Sequence, residues 1–551
     1  MAYVEGQDRH QIMLLPESIE DFVSEDNPVR AIDAFVDGLD LNKLGFTQAE
    51  PSVMGRPAYN PRDLLKLYIY GYFNKIRSSR KLMKECQRNI ELFYLLRRLT
   101  PDFRTIADFR KNNAKALKSV FREFVGICLA MNLYQKELLA IDGSKFRAVN
   151  SKANSYNQDT LIKKLLRIEE NITRYFEEMD QLDHSEPDEQ KVSKSELQQR
   201  IAELRERKGK YENFLSQLEQ TGETQILTTD PQARVMQSKD GFHCYYNVQT
   251  AVDAGSHLIA EYEVTNHCND QGLLQQVADQ TRGNLALQTI AVVADKGYES
   301  RRDIENCVKT GIIPHVIAKY DQDERIHTLP YEEADISEEL RQSTRSEDIQ
   351  TCLKAGVLPA CYEGSGISVE IQGQTVMSCF VLNDDGTVTC PMGQILRRTK
   401  NRGEATIFGS REACRECPNK CTPGITFKTV SFGPNTRVVP VMMYGNSQFP
   451  PRPIPPDLPV SSFNHSLDRG DLAKRKVQLR IRSAETILKQ RMCLAEHPFG
   501  TVKWHHDARY LLCRGLEKTT GELGLSFLVY NLKRAINLVG VPALVSAMKS
   551  C

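Results

Sequence analysis

The sequence predicts an α/β protein whose mixed sheet core follows an all-helical N-terminal domain and is interrupted by two inserts. Three observations support this class: helical spacing of apolar residues over 58–135, heptad spacing over 161–218, and alternating β-rich and helix-period segments over 241–318. A chain of 551 residues exceeds what one hydrophobic core organises. The predicted domains are 1–135 (helical), 136–318 (first part of the core, with a helical hairpin inserted at 159–220), 319–460 (a Cys-rich insert and a Pro-rich linker) and 461–551 (the C-terminal helical part of the core).

The composition is that of a globular protein, with 40% hydrophobic and 26% charged residues, and no apolar run is long enough to span a bilayer. The 15 cysteines are odd in number and mostly scattered, which fits a reducing compartment better than a disulfide framework. The first residues, "MAYVEGQDRHQ", lack the charged-then-apolar pattern of a signal peptide. We therefore expect a cytoplasmic protein without a membrane partner.

The net charge is +1, yet basic residues are concentrated in two blocks. Residues 51–150 hold 20 Lys and Arg against 8 Asp and Glu, and residues 466–515 hold 11 against 5. Two such blocks can form one electropositive face for a polyanion. Solvated helix faces explain the charge equally well.

The N-terminal helices begin at a recognisable cap. Asn60 precedes Pro61, a pair typical of a helix start, and "PRDLLKLYIYGYFNKI" follows. The next segment, "NKIRSSRKL" (74–82), places basic groups around a second helix start, where they suit phosphate oxygens. An ordinary exposed basic helix is the alternative. The predicted DNA contacts in this region are Arg77, Arg80, Lys81 and Lys84.

Two apolar runs end on an aspartate that is closely followed by glycine. Residues 138–141 lead into Asp142, and residues 290–294 lead into Asp295. A buried strand that delivers a carboxylate is costly unless the charge has a partner. A third acid, Glu496, ends a predicted helix in "RMCLAEHPFGTVKW". Three such carboxylates can converge on hard cations such as Mg²⁺, while three unrelated turn residues are the alternative.

Residues 159–220 are predicted to form an antiparallel helical hairpin. Apolar residues step alternately by four and three on both sides of the polar segment "DHSEPDEQ". We expect this insert to provide spacing or an oligomer contact.

The segment "GFHCYYNVQTAVDAGSHLIAEYEVTN" (241–266) predicts a β-hairpin that turns at "DAGS". A helix, the strand before Asp295, a second helix and the strand "IIPHVIA" follow, which is the order of a mixed α/β sheet. Residues 320–460 contain β-like pieces and end in the Pro-rich "FPPRPIPPDLPV". Helices are predicted from Asp471 to about Ala495 and over 519–550.

Four cysteines have the spacing of zinc ligands. Cys390, Cys414, Cys417 and Cys421 form C-x23-C-x2-C-x3-C, and four thiolates complete the tetrahedral shell of a structural Zn²⁺. Cys379 can replace Cys390 as the first ligand. Chance clustering in a reduced protein is the alternative.

Three short segments, in their order along the chain, carry a family resemblance. "AIDGSKFRA", "VVADKGYES" and "AEHPFGTVK" are similar to the three acidic motifs of DDE transposases of bacterial insertion sequences. "YNPRDLLKLYIYGYFNKIRSSRKLMKECQRN" and "PDFRTIADFR" resemble the N-terminal helical domain of these enzymes, and "YNVQTAVDAGSHLIAEYEVTN" resembles their core hairpin. The resemblance implies a ribonuclease-H-like core in which Asp142, Asp295 and Glu496 are catalytic acids that bind Mg²⁺ or Mn²⁺.

One motif departs from the family pattern. Related families place Tyr, Arg, Glu and Lys with two, three and six residues between them. Here Glu496 and Lys503 keep the last interval, Met492 holds the Arg position, and Arg491 stands one residue earlier. The resemblance implies that Lys503 and Arg491 contact the DNA at the element end. Glu485 is the alternative third acid, although it lacks the following "HPFG".

The function implied by the resemblance is DNA transposition. Metal-activated water attacks a phosphodiester at the element end, and the freed 3′-hydroxyl attacks target DNA, each step being an in-line displacement. The implied partners are double-stranded DNA, as terminal inverted repeats and as target, and a second copy of the chain in the active complex. Two alternatives stay open: a decayed relative that binds DNA without cleaving it, and a structure-specific nuclease with the same core.

Overall fold

The structure is a computed structural model that describes residues 18–50, 57–182, 193–316, 324–372, 375–419, 421, 427–444, 451–452 and 476–550. The predicted turn "DHSEPDEQ" lies outside these residues, as does most of the Pro-rich linker. No helix in the described part of the chain combines the length and apolar character needed to cross a membrane.

The described helices and strands follow in chain order. The helices are α1 (Pro28–Asp37), α2 (Pro61–Phe73), α3 (Ser79–Glu85), α4 (Ile90–Leu96), α5 (Phe103–Asn112), α6 (Ala114–Ala130), α7 (Gln158–Leu182), α8 (Lys194–Thr221), α9 (Leu274–Asn284), α10 (Arg301–Lys309), α11 (Glu338–Gln342), α12 (Ser346–Lys354), α13 (Arg411–Arg415), α14 (Glu485–Gly500), α15 (Leu516–Val539) and α16 (Val541–Ser550). The strands are β1 (Leu139–Arg147), β2 (Ser155–Tyr156), β3 (Ile226–Leu227), β4 (Arg234–Ser238), β5 (Gly241–Asp253), β6 (Ile259–Thr265), β7 (Ile290–Ala294), β8 (Ile312–Val316), β9 (Glu324–Pro330), β10 (Ile367–Gln372), β11 (Thr375–Leu382), β12 (Val388–Thr389), β13 (Ile395–Arg402), β14 (Ala405–Gly409), β15 (Thr429–Phe432), β16 (Val438–Tyr444) and β17 (Lys476–Arg482).

The chain divides into two compact units, and each draws on segments that are distant in sequence. The first unit comprises Met1–Gln135, Asp142–Asp270 and Leu494–Cys551. The second unit comprises Lys136–Ile141 and Gln271–Cys493. Strand β1 therefore contributes residues to both units.

The helices of the first unit start as the sequence predicts. Asn60 caps α2, its side-chain oxygen accepting the N–H of Arg62 at 2.9 Å, and Pro61 holds the first helical position. Further along, α6 packs closely against α15. A β-carbon on Gly521 would lie 2.6 Å from the Cα of Ala114, so this approach requires glycine at position 521.

Tyr262 of β6 lies in the core of the first unit. Its ring meets that of Phe121 on α6 edge to face, with centroids 5.0 Å apart, and that of Phe527 on α15 at 5.0 Å. Its hydroxyl donates to the carbonyl of Thr520 at 3.0 Å, which allows the whole side chain to be buried. The helices and the sheet of this unit thus share one core.

The predicted β-hairpin is confirmed. Strands β5 and β6 pair antiparallel, with Asn247 opposite Thr265. Asp253 closes the turn, because its Oδ2 accepts both the N–H and the Oγ of Ser256 at 2.8 Å. Strand β5 also pairs with β4 and lies next to β1.

The two predicted heptad helices are also present. They are α7, with 25 residues, and α8, with 28, and they pack against each other. A capping box between Ser193 and Glu196 opens α8. At the base of the hairpin, Tyr156, Leu161 and Leu218 form a buried cluster.

The second unit contains parallel strands. Strand β1 begins beside β7, with Leu139 opposite Val292 and Ala140 opposite Val293, and β7 pairs in parallel with β8. Helix α10 connects β7 to β8, and α9 and α10 pack against these strands. The predicted succession of helix, strand, helix and strand is confirmed.

One predicted helix is wrong. Residues 476–482, expected within a helix from Asp471, form β17, which pairs antiparallel with β9 and β10. Apolar residues in "KVQLRIR" recur at every second position, and Val477, Leu479 and Ile481 are at most 1% exposed. This period of two favours a strand, and α14 begins only at Glu485. Asp471 itself lies outside the described residues.

A six-stranded sheet forms most of the β-rich insert, in the order β15-β14-β13-β12-β11-β16. Cys390 and Cys421 pack against the core of this sheet. The core consists of buried apolar side chains: Phe380, Val388, Leu396, Phe408, Val430 and Phe432. With its helices and sheets, the fold is mixed α/β, as predicted.

Candidate active site

Asp142 lies inside β1. The strand continues to Arg147, so the prediction that Asp142 ends a strand is wrong. The chain stays extended because Phe146 is buried in the core and the N–H of Arg147 donates to the carbonyl of Arg509 at 3.3 Å. Asp142 is half-buried, and the alternation of side chains along a strand gives it the same face as Ser144.

Lys503 reaches β1 beside this aspartate. It belongs to a π-helical turn, Thr501–His505, that follows α14 directly. Its Nζ donates to Ser144 Oγ at 2.7 Å and to the carbonyl of Lys145 at 2.8 Å, and lies 4.6 Å from the ring centroid of Phe146. Burial lowers the pKa of Lys503 to about 8, against an opposing effect of the Asp142 carboxylate. Lys503 and Asp142 are therefore electrostatic neighbours.

Glu496 lies near the end of α14 and is exposed. The segment that follows it is fixed to β1, because Phe499 packs against Phe146 with ring centroids 6.1 Å apart. On the adjacent position, His497 Nδ1 lies 3.2 Å from the hydroxyl of Tyr530. The helix therefore presents Glu496 from a segment held at several points within the first unit.

Asp295 belongs to the second unit and directly follows β7, so the prediction that it ends a strand is confirmed. Its Oδ1 accepts the N–H of Gly297 at 2.7 Å and caps a short 3-10 helix, Lys296–Tyr298. This bond fixes one carboxylate oxygen at the end of the strand.

Among the residues that the structure describes, no three His, Cys, Asp or Glu side chains are grouped so that they could hold a metal ion. Within the described part of the chain, neither the three predicted acids nor the four predicted zinc cysteines form such a group.

Two family models match the chain. The transposase domain of unknown function 772 matches residues 17–112, and the transposase DDE domain matches residues 188–409. The chain is a DDE transposase of an insertion-sequence type. Its enzyme class, metal-dependent cleavage and joining of DNA, is that predicted from the sequence. Of the three predicted acids of this transposase, Asp295 falls within a matched region, whereas Asp142 and Glu496 fall outside both.

A solved structure, the cryo-EM structure of the piggyBac transposase synaptic complex with hairpin DNA, is similar to this transposase at 9% sequence identity and a TM-score of 0.26. The alignment covers 95% of this chain and 81% of that chain. No curated protein matches the chain.

Arg77 of the transposase is not available to DNA, and the prediction that it contacts DNA is contradicted by its burial. The residue is 6% exposed. Its guanidinium pairs with Glu522 at 2.6 Å and donates to the carbonyls of Asp507 and Tyr510. Arg77 therefore connects the N-terminal helices to the C-terminal segment of the same unit.

Three of the other basic residues predicted to bind DNA lie at the surface. Arg80, Lys81 and Lys84 lie on α3 and are exposed, and the guanidinium of Arg80 lies 4.9 Å from the ring centroid of Phe103. Arg491 is half-buried on α14. Their DNA contacts stay a prediction.

The four predicted zinc ligands lie around one cavity. Cys390, Cys414, Cys417 and Cys421 line a space of about 20 Å³ in the second unit. The alternative ligand Cys379 is not among its lining residues and is buried within β11. Burial raises the pKa of the Cys390 and Cys421 thiols, and the neighbouring cysteines raise it further.

The residues that contact Lys503 were not predicted from the sequence. Ser144 and Phe146 follow Asp142 on β1, but the strand was expected to end at the aspartate. Phe146, an apolar core residue four positions after Asp142, is the feature that could have indicated that the strand continues.

Proposed function

We propose that Asp142, Asp295 and Glu496 are the catalytic acids of a ribonuclease-H-like core and hold divalent metal for cleavage at the end of a DNA element. The observation that carries this proposal is the register of the parallel strands β1 and β7. Ala140 of β1 lies opposite Val293 of β7. Asp142 comes two residues after Ala140, and Asp295 comes two residues after Val293.

The order of elements supports the ribonuclease-H-like core. The antiparallel hairpin of β5 and β6 is followed by α9, β7, α10 and β8, and the last two strands are parallel to the start of β1. We accordingly propose that 136–318 and 461–551 form the catalytic core, with 159–220 and 319–460 as inserts and 1–135 as the DNA-binding domain.

The donor set fits Mg²⁺ or Mn²⁺. Both ions prefer carboxylate oxygens, and Mg²⁺ takes only a few of them and keeps waters. When bound, such ions activate the attacking oxygen and stabilise the leaving oxygen. Asp142 lies in a strand, and Glu496 lies in a helix with its carboxylate exposed. The backbone of both residues is therefore held by regular secondary structure.

Lys503 is proposed to contact a phosphate next to the scissile bond. Its ammonium is held on Ser144, two residues from Asp142, and therefore borders the proposed site. A positive charge there offsets the negative charge that builds up at phosphorus during displacement.

Two displacements at phosphorus make up the reaction. Water attacks the phosphodiester in line, the P–O bond to the 3′-oxygen breaks, and that oxygen leaves as a hydroxyl. The freed 3′-hydroxyl then attacks a phosphodiester of target DNA and displaces its 3′-oxygen. Neither step forms a covalent bond to the protein.

We propose that the partners are double-stranded terminal repeats, target DNA and a second copy of the chain. The exposed side chains of Arg80, Lys81 and Lys84 support a phosphate contact along α3, and Arg491 adds a basic group five residues before Glu496. The cysteines of the described residues are free thiols, which supports a reducing, cytoplasmic location with the bacterial DNA.

We further propose a structural zinc on Cys390, Cys414, Cys417 and Cys421. The support is that all four thiols border the same cavity, which has room for about one small atom. Such an ion would stabilise the β-rich insert without taking part in cleavage.

Metal analysis tests the zinc proposal. Protein purified without chelator is expected to hold one zinc per chain, and Cys417→Ser is expected to lose it together with several degrees of melting temperature. Cys268→Ser, which changes an exposed cysteine in the first unit, is the matched control and should keep the zinc. Zinc-free wild-type protein would refute the site.

A strand-transfer assay tests the function. Wild-type protein with Mg²⁺ is expected to nick DNA carrying the element end and to join an oligonucleotide with a free 3′-hydroxyl to a target. Cleavage without joining would indicate a nuclease, and binding without either would indicate a decayed copy. Asp142→Asn and Asp295→Asn are expected to bind the end normally while doing neither reaction.

A further inference from the structure

We infer that Asp270 is a positioning residue that fixes the backbone beside Asp142. This inference rests on the proposed role of Asp142 as a metal ligand. Asp270 lies in the first unit, in the loop between β6 and α9. Its Oδ1 accepts hydrogen bonds from Asn247 Nδ2 at 2.8 Å and from Gln249 Nε2 at 2.7 Å.

The two donors are rigidly placed. Asn247 is 1% exposed, Gln249 is fully buried, and both belong to β5, which lies next to β1. Their spacing of two residues puts them on the same face of the strand. Asp270 is therefore a carboxylate held by two buried amides, and hydrogen bonds to a charged acceptor are stronger than those between neutral groups.

The Asp270 carboxylate packs against Gly143 of β1. A β-carbon on residue 143 would lie 2.5 Å from Asp270 Oδ1 and 2.5 Å from Gln249 Nε2, well inside van der Waals contact. The absence of a side chain at 143 allows the carboxylate and the amide to pack directly on the backbone of β1. That backbone position is the one next to Asp142.

The direction of approach separates Asp270 from the metal ligands. Side chains alternate along a strand, so the face at which Gly143 meets Asp270 is opposite to the face that carries the Asp142 carboxylate. On the Asp142 face, Lys503 holds Ser144. The backbone around Asp142 is thus fixed from both faces of the sheet, by Lys503 on one and by Asp270 on the other.

A positioning role predicts that Asp270→Asn and Asp270→Ala behave differently. Both hydrogen bonds to Asp270 end on the same oxygen, and Asp270→Asn retains that oxygen. The asparagine variant should therefore keep both bonds and the packing on Gly143. Asp270→Ala should lose both hydrogen bonds and the packing on Gly143, and so free the backbone beside Asp142.

The experiment measures Mn²⁺ binding and cleavage for both variants in the full-length protein. Binding is followed from free Mn²⁺ by electron paramagnetic resonance without DNA, and cleavage is followed in single turnover. Asp270→Ala is expected to weaken Mn²⁺ binding and slow cleavage, each by roughly 10-fold, as loss of support for a metal ligand does. Asp270→Asn is expected to restore both. Cys268→Ala, an exposed change in the same loop, is the matched control.

Gly143→Ala perturbs the same contact from the β1 side. The added β-carbon pushes against Asp270 and Gln249 without removing either, and it should weaken Mn²⁺ binding as Asp270→Ala does. If Asp270→Ala does not fold, this variant together with Asp270→Asn carries the test. Normal Mn²⁺ binding by Gly143→Ala would then overturn the inference.

The remaining outcomes are distinguishable. Wild-type Mn²⁺ affinity in Asp270→Ala, with Asp142→Asn inactive, would overturn the positioning role and leave the proposed function intact. A loss in Asp270→Asn as complete as that in Asp142→Asn would also overturn it, because the carboxylate charge would then act on the metal or DNA itself. Wild-type turnover in Asp142→Asn would refute the proposed function and this inference with it.

Discussion

Glu496 and Glu522 are two glutamates in the C-terminal part of the chain with opposite surroundings. Glu522 on α15 is fully buried, pairs with Arg77 at 2.6 Å and accepts the N–H groups of Leu512 and Cys513 at 2.8–3.0 Å. Glu496 on α14 is exposed. One carboxylate is saturated by protein donors, and the other is open to a ligand.

The contrast between these two glutamates shows how the fold uses charged side chains. A buried carboxylate must find its donors within the protein, so Glu522 can stabilise the fold but cannot serve a metal or a substrate. A carboxylate that is to bind metal must keep its oxygens accessible. A glutamate in the sequence therefore cannot be assigned to a stabilising role or to a metal-binding role until the burial of its side chain is known.

The largest effect on stability is expected from Glu522→Ala. The change leaves Arg77 and the neighbouring Arg110 without their buried counter-charge, which costs about 3–5 kcal/mol of unfolding free energy. Denaturant unfolding measures it, and Glu496→Ala, the matched control, should unfold as the wild type does. Equal stability of the two variants would remove the contrast between these residues.

The same glutamate predicts a pH dependence. Burial raises the pKa of Glu522, but Arg110 and Arg77 lower it by more, so its pKa lies below the ordinary glutamate value. Its contribution to stability is therefore present above the unfolded-state pKa, about 4.3, and is lost as the pH falls through the folded-state pKa. Glu522→Gln should lack this part of the acid sensitivity in unfolding titrations.

Lys503→Ala should affect cleavage more than binding. Loss of the ammonium beside Asp142 removes stabilisation that matters during the displacement, and we expect single-turnover cleavage to slow by roughly 10²-fold. DNA affinity, measured by titration at the same salt concentration, should change by only a few-fold. If both quantities fall equally, Lys503 is a binding residue like those on α3.

The smallest effect is expected from changing Arg80 and Lys84 together to Ala. Each lost phosphate contact should reduce the slope of log affinity against log salt by about 0.9, without changing the cleavage rate at saturating protein. Lys115→Ala, an exposed cation on α6 paired with Glu517, is the control. An unchanged slope would favour the basic block 466–515 as the DNA-binding element.

Local patterns in the sequence sufficed for several elements. The Asn60–Pro61 start of α2 and the β5–β6 hairpin depend on residues that are adjacent along the chain, and the structure has both. The strand at 476–482 was not predicted although its apolar residues alternate, and its two partners, β9 and β10, come from distant parts of the sequence. The apolar run before Asp142 similarly concealed that β1 continues to Arg147.

Contacts between distant segments could not be predicted. Arg77 and Arg80 stand three residues apart in one basic segment, yet Arg77 is buried because Glu522, far along the chain, supplies its counter-charge. The packing of Asp270 on Gly143 could not be predicted either, because it depends on strand pairing and not on any motif. The three acids stay a prediction from their motifs, whereas no motif indicated the residues that contact β1 beside Asp142.

Single-turnover cleavage tests whether Asp142, Asp295 and Glu496 serve one metal centre. The variants are Asp142→Asn, Asp295→Asn, Glu496→Gln and their pairwise combinations. If the three acids act as one unit, removing any one of them abolishes the function of all three. Each single variant should therefore cleave more slowly by on the order of 10³-fold or more, and the double variants should be no slower than the single ones. All should bind the DNA end and melt as the wild type does. Wild-type turnover in any single variant, or losses that multiply in the double variants, would contradict the claim.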